Sequence, residues 1–276
     1  GQFSKAATVL QLATDILFLQ AGEDSPEYTS AAINLGVLYM GQGKYPEAEE
    51  IFDVALSLID PNGVAYASVL NNQALVYQSL GQPDRAESMF RKIQSLDSAS
   101  IGTSHPDYAI TLSNLGLILA NAGKYAPAEQ VLLQALEIQK KNKEGNSVSY
   151  ARKLNNLSRV YQLSGKTEKA IAPLQEAAAI FKKTLSENSP EYATTMYNLG
   201  NAHWKSGNSK DAIRYLKSSA SIRAKVLGKN HPRYAESIQK IAEYQWEQKQ
   251  IKEAHQSFGE VFDNFYFQLD VTFPGL

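Results

Sequence analysis

A tyrosine recurs at Tyr28, Tyr66, Tyr108, Tyr150, Tyr192 and Tyr234, in steps of 38, 42, 42, 42 and 42 residues. A glycine follows in register at Gly43, Gly81, Gly123, Gly165 and Gly207, and Lys249 takes that slot in the last unit. Five residues further on stands an alanine each time: Ala48, Ala86, Ala128, Ala170, Ala212 and Ala254. A period of this length restricts a chain to architectures in which one supersecondary unit stacks on the next.

Each unit reads as two amphipathic helices joined by a tight turn. The first helix opens at a proline in four units (Pro26, Pro106, Pro190, Pro232), where a missing N–H costs nothing. Apolar residues follow at helical spacing, as in Ile33, Leu35 and Leu38. The glycine then ends the helix, because it tolerates the left-handed conformation a helix C-terminus commonly needs. The second helix starts at once, as in Lys44-Tyr45-Pro46-Glu47-Ala48, and continues through Phe52, Ala55 and Leu58. Small residues also recur in the first helix, at Gly36, Ala74, Gly116, Ser158, Gly200 and Ala242. Together with the alanine series they predict close contact between the two backbones of a pair. The fold class expected is all-α, a solenoid of helix-turn-helix repeats.

Leu35-Gly36-x-x-Tyr39, then Ala48-x-x-x-Phe52, then Pro61, resembles the tetratricopeptide-repeat (TPR) signature in order and spacing. The 42-residue period is similar to that of the kinesin-light-chain type of this repeat. So are Leu70-Asn71-Asn72, Leu154-Asn155-Asn156, Ala172-Pro173-Leu174 and Val226-Leu227-Gly228-Lys229-Asn230-His231-Pro232. HEAT and armadillo repeats share the period but lack the Leu-Gly-x-x-Tyr motif and the Gly-to-Ala spacing. The resemblance implies a right-handed superhelix and a protein-binding role, with no catalysis by the repeats themselves. The array is expected over 1–268, as a leading second helix at 1–20 and six helix pairs starting near 25, 63, 105, 147, 189 and 231. Gly1-Gln2-Phe3-Ser4-Lys5-Ala6 matches Gly43-Lys44-Tyr45-Pro46-Glu47-Ala48 one period later, so the sequence reads as a fragment entering at a second helix.

After the sixth pair the chain is dense in aromatics: Phe258, Phe262, Phe265, Tyr266 and Phe267, then Phe273-Pro274-Gly275-Leu276. These residues either finish and cover the last helix or dock on a domain further downstream. Residues 269–276 are similar to the segment that follows the repeats in bacterial TPR proteins carrying a CHAT domain, a caspase-like peptidase fold. That resemblance makes this stretch the start of a linker. The chain would then be the regulatory arm of a larger enzyme.

In such superhelices the first helices line the concave wall. Asn34, Asn72, Asn114, Asn156 and Asn198 recur just before Leu-Gly or its equivalent, and Lys240 ends the series. Residues four and one before this slot, and three and six after it, share its helical face. An amide offers both donors and an acceptor, so a column of them can clamp a peptide backbone whatever its sequence. In peptide-binding TPR domains the matching slot holds a ligand-contacting Asn; the other use of this Asn is to bridge neighbouring repeats. Further groove candidates are Asn71, Arg152, Asn155, Arg159, Tyr197 and Asn201. Arg152 and Arg159 could fork onto a partner's carboxylate, or pair with glutamates on adjacent helices. Ile33, Val37, Ile110 and Leu117 make the first and third pairs apolar at the same face. The expected partner is therefore a protein segment with an acidic feature opposite the fourth and fifth pairs; self-association through the array's ends is a weaker option.

Composition removes other functions. The 276 residues carry 27 basic and 28 acidic side chains, scattered, for a net charge of −1, and no basic stripe suits a nucleic acid. The apolar stretch at Val9 to Leu19 contains Gln11, Thr14 and Asp15 and is too short for a bilayer, so no membrane partner is expected. Without cysteine there are no disulfides and no thiolate metal ligands. His105 and His231 read as turn residues, His203 takes the slot of Tyr39, Tyr77 and Tyr161, and His255 lies on a second helix. The register keeps them apart, so no catalytic residues, metal or cofactor are expected. Such a chain is soluble and cytoplasmic by default, with export left open because it does not begin with Met.

Overall fold

The structure, a computed structural model, describes the backbone of residues 2–22 and 25–272 and the side chains of 8–22, 25–63 and 65–263. Every regular element among the described residues is a helix. The chain divides into two compact units, 1–131 and 132–276, at a boundary within one helix. Unit 1 holds α1 (Gln2–Ala21), α2 (Pro26–Gly41), α3 (Tyr45–Leu58), α4 (Val64–Ser79), α5 (Pro83–Ser100) and α6 (Pro106–Asn121). The boundary helix is α7 (Tyr125–Lys141). Unit 2 continues with α8 (Val148–Leu163), α9 (Thr167–Thr184), α10 (Pro190–Lys205), α11 (Ser209–Leu227), α12 (Pro232–Glu247) and α13 (Ile251–Thr272).

The first helix of a pair begins at a capping side chain. Ser25, Ser147 and Ser189 accept hydrogen bonds from the backbone N–H of Tyr28, Tyr150 and Tyr192, so the recurrent tyrosine marks the third helical residue. His105 and His231 hold the same cap position and accept through Nδ1 from the N–H of Asp107 and Arg233. They are helix caps as well as turn residues. At the other end, the recurrent glycines sit at φ between 70° and 79°. The residue after each turn then donates its N–H to a carbonyl five residues back, as from Lys44 to Tyr39 at 2.9 Å and from Gln82 to Tyr77 at 2.8 Å. Lys249 must adopt the same left-handed conformation, at φ 58°, with Gln250 bonding back to Gln245 at 2.9 Å.

Within a pair, the small residue of the first helix faces a large one of the second. A methyl group placed on Gly36 would lie 2.6 Å from the Phe52 ring, and one on Gly200 would lie 2.6 Å from Cγ of Leu216. Ser158 occupies this slot in α8 and turns its hydroxyl to the carbonyls of Leu154 at 2.8 Å and Ala170 at 3.3 Å, the latter on the facing helix. All six alanines of the second-helix series are fully buried. In unit 1 the core runs from Ala48, Phe52 and Ala55 of α3 to Val69 and Val76 of α4. In unit 2 a comparable cluster joins Leu216 and Ala220 of α11 to Tyr234, Ile238 and Ile241 of α12.

The stacking leaves Val9, Leu12, Ile16 and Leu19 of α1 exposed, along with Phe258 and Phe262 of α13. The aromatic side chains from Phe265 on, and all of Phe273-Pro274-Gly275-Leu276, lie outside the described residues. Among the described residues no helix is long and apolar enough to cross a membrane.

Unit 2 also buries ionisable groups. Lys153 is 3% exposed and donates to Ser149 Oγ at 3.0 Å; burial lowers its pKa to about 8, partly offset by Glu144. His203 is 8% exposed, stacks on Tyr215 at 5.3 Å, and has no hydrogen-bond partner at either ring nitrogen among the described residues. Burial therefore holds its pKa below the usual histidine value.

Two stability measurements follow. Lys249 is exposed and strained, so Lys249→Gly should stabilise the protein by about 0.5–1 kcal/mol in denaturant titration. His203 stays neutral in the fold, whereas the unfolded chain takes up a proton near pH ~6.5. Stability should be full above that value and fall as pH drops below it. His203→Tyr, which restores the residue found in sister repeats, should flatten the fall in Tm between pH 7 and pH 5.

Candidate functional site

In unit 1 the expected face lies along α2, α4 and α6. Asn34 is exposed, and Asn71, Asn72 and Asn114 are half-buried. Asn34, Asn72 and Asn114 have no side-chain hydrogen bond among the described residues. Val37, Leu75 and Ile110 are exposed at positions that share this helical face. Helical spacing thus sets open amides beside apolar side chains, a surface that can bond to a backbone and also take aliphatic groups.

Unit 2 presents two depressions on the first-helix face. One, of about 500 Å³, lies among the N-terminal halves of α8, α10 and α12. Arg152, Asn155 and Asn156 line it from α8, Glu191 and Thr194 from α10, and Arg223 and Leu227 reach it from α11. Arg152 donates to Glu191 at 2.7 Å, which holds that carboxyl below the usual range. The pairing with a glutamate on an adjacent helix is thus the arrangement present. Asn155 donates through Nδ2 to Thr195 Oγ1 at 2.9 Å and so bridges α8 and α10, while its Oδ1 is buried with no partner among the described residues.

The second depression, of about 530 Å³, is bounded by Gln162, Tyr197, Asn201, Trp204, Lys240 and Glu243. Trp204 donates its indole N–H to Glu247 at 2.6 Å and stands edge-on to Tyr244, with ring centres 5.9 Å apart. Lys240 places Nζ 5.0 Å from the centre of the Trp204 ring and pairs with Glu243. Lys240 therefore closes the asparagine series with a cation engaged inside its own unit. The hydroxyl of Tyr197 has its pKa raised chiefly by burial and then by Glu236.

Arg152, Asn155 and Asn156 thus gather at the first depression, and Tyr197, Asn201 and Lys240 at the second. Half-buried Asn198 and exposed Arg159 line neither. Arg223 is a residue that groove reasoning overlooked, because it belongs to a second helix. The signal was in the register: Ile59, Asp97, Gln139 and Phe181 hold its slot in earlier repeats. Its side chain is 2% exposed. Nη1 alone donates to the Arg233 carbonyl at 2.7 Å, Ser237 Oγ at 2.8 Å and Glu236 at 3.0 Å. The guanidinium carbon lies 4.7 Å from the centre of the Tyr197 ring. Desolvation lowers the Arg223 pKa, against the opposing pull of Glu236. Among the described residues no group of three or more His, Asp or Glu is placed to hold a metal ion.

Models of the tetratricopeptide repeat match residues 65–141 and 149–225, and a further form of the repeat matches 29–59. No curated protein matches the sequence. Among solved structures, the chain is similar to the kinesin light chain nearly identical TPR-like repeats of Podosopora anserina, at 23% identity and a TM-score of 0.64. That likeness covers 77% of this chain and 98% of the other. BtubC (BKLC) from P. vanneervenii is similar at 20% identity and a TM-score of 0.65, over 82% of this chain and 91% of its own. The type IV pilus biogenesis factor PilW is similar at 20% identity and a TM-score of 0.63, over 91% and 96%. At these identities the likeness speaks for the fold, an all-α TPR solenoid. The repeat models alone span more than half of the residues, and the chain belongs to the tetratricopeptide repeat family.

Proposed function

We propose that this chain is a non-catalytic scaffold that holds a polypeptide segment of a partner protein on the first-helix face of its repeats. Tetratricopeptide-repeat folds generally mediate protein–protein interactions and are typically not enzymes, which supports the broad reading. The observation that carries the finer one is the asparagine column. Asn72, Asn114 and Asn198 are half-buried on their helices, yet their amides are bonded to no other described residue. A half-buried amide with unused donors and acceptor gains more from a ligand backbone than a fully solvated one does. Beside them, unit 1 offers exposed aliphatic side chains and unit 2 offers arginines and aromatic rings. The partner segment suited to these surfaces is extended, apolar in one part and acidic in another. The regulatory-arm reading with a CHAT domain rests on Phe273-Pro274-Gly275-Leu276, which lie outside the described residues, and on sequence resemblance alone.

Selection of a random-peptide phage library on the whole chain tests the scaffold reading. The wild type should enrich a consistent set of peptides. Asn114→Ala, Asn156→Ala and Asn198→Ala combined should lose that set, by tenfold or more in affinity, while helicity by circular dichroism stays unchanged. Recovery of the same peptides at the same affinity by the triple variant would refute the amide column as the contact.

A further inference from the structure

By register α1 is a second helix, and its inner side is held by α2. Tyr39 donates its hydroxyl to Gln11 at 3.0 Å, Phe18 lies against Tyr28 with ring centres 5.5 Å apart, and Thr14 is buried. Away from that contact runs a stripe of four aliphatic side chains: Val9 is 68% exposed, Leu12 59%, Ile16 42% and Leu19 81%. Their spacing of three, four and three residues puts them on one helical face. Half of this stripe is peculiar to α1. The slot of Leu12 holds Val54 in the next repeat and then Lys92, Gln134, Glu176, Ser218 and Glu260. That of Leu19 holds Pro61, Ala99, Lys141, Lys183 and Lys225, all exposed. Where most sister helices meet solvent with a polar or charged side chain, α1 presents leucine.

The pattern of the stripe indicates what covers it. Val9 and Ile16 stand seven residues apart, as do Leu12 and Leu19, so β-branched residues fill the a positions of a heptad and leucines the d positions. That combination favours two parallel strands over three or four. Thr8 and Asp15 fall at g, and Ala13 and Gln20 at e, so Asp15 is the one charge beside the stripe. In a parallel pair g meets the following e of the other strand, which sets Asp15 against the Gln20 amide and not against a second carboxylate. The four stripe residues expose roughly 450 Å² and their flanks add to it, so a two-fold pairing buries on the order of 1,000 Å², the lower limit for a specific interface. Two heptads are too few to hold isolated peptides together. Here α1 is already helical and seated on α2, so association does not have to supply the cost of ordering it.

We propose that the exposed stripe of α1 is a self-association surface, on which a second copy of this chain seats its own α1 in parallel across a two-fold axis. The stripe lies on a second helix, so the pairing uses none of the first-helix residues and stands independently of the role given to them. The dimer carries two first-helix faces, and a partner with two matching segments is held by both at once.

Sedimentation velocity on the whole chain, run over a range of concentrations, should show monomer passing to dimer as concentration rises. Leu12→Lys with Leu19→Lys installs side chains that sister helices carry at these slots, and should weaken the dimer by about 30-fold or more with helicity and Tm unchanged. Trp246→Lys, at an exposed aromatic of α12, should leave the dimer as it is. The chain has no cysteine, so Leu12→Cys supplies a single reporter thiol. Equivalent d positions face each other in a parallel pair, and mild oxidation should link the Leu12→Cys chains into a disulfide dimer. A chain that stays monomeric throughout would give the stripe to a different polypeptide and overturn the proposal. So would a dimer that survives both lysines, one lost equally with Trp246→Lys, or a Leu12→Cys dimer that does not cross-link. The wild-type run decides the matter even if a variant fails to fold.

Discussion

Two helices of a pair can lie backbone against backbone only where one of them withdraws its side chain. That condition is met at Gly36 against Phe52 and at Gly200 against Leu216, where even one methyl group would intrude to 2.6 Å. It is met again by the alanines of the second helices, all fully buried. Close-packed interiors do not adjust to extra volume without cost, so these slots set the spacing of a pair. Once that spacing is set, helical periodicity dictates which residues of the first helix point away from the pair. The candidate binding face is what remains after the contact face is used up.

The turn chemistry depends on the same geometry. A first helix must stop and reverse within a few residues for its partner to fold back on it. The left-handed glycine and the N–H bond to the carbonyl five residues earlier achieve this in repeat after repeat. At Lys249 the reversal is kept without glycine, which shows that packing can impose a conformation the residue itself disfavours. The caps behave similarly: serine and histidine serve at one position because each presents an acceptor to the first turn.

Unit 2 departs from a purely apolar interior. Lys153, His203 and Arg223 are all buried there, and each carries a cost that an aliphatic side chain would avoid. Local rules are broken most often where a protein does something besides fold. Lys153 reaches a serine hydroxyl, and His203 finds a ring to stack on, so both have partial structural accounts. Arg223 is different, because Nη1 carries all three of its hydrogen bonds while Nε is buried with no partner among the described residues. The two first-helix faces differ accordingly: aliphatic beside open amides in unit 1, charged and aromatic in unit 2.

Much of this could be read without coordinates. A repeat writes the same packing problem several times, so Gly43, Ala48 and their counterparts disclosed the helix pairs, the turns and the buried slots through register alone. The asparagine slot was legible for the same reason. Identity by position says nothing about bonding, however, because hydrogen bonds run between residues far apart in sequence. Only the tertiary structure decided that Asn155 bridges to Thr195, that Arg152 is held by Glu191, and that Lys240 turns onto Trp204. Arg223 was hidden for a further reason. Its side chain, carried by a second helix, lies against Tyr197 of α10 and bonds to α12, and no one-dimensional period records which side chains cross from one layer to another.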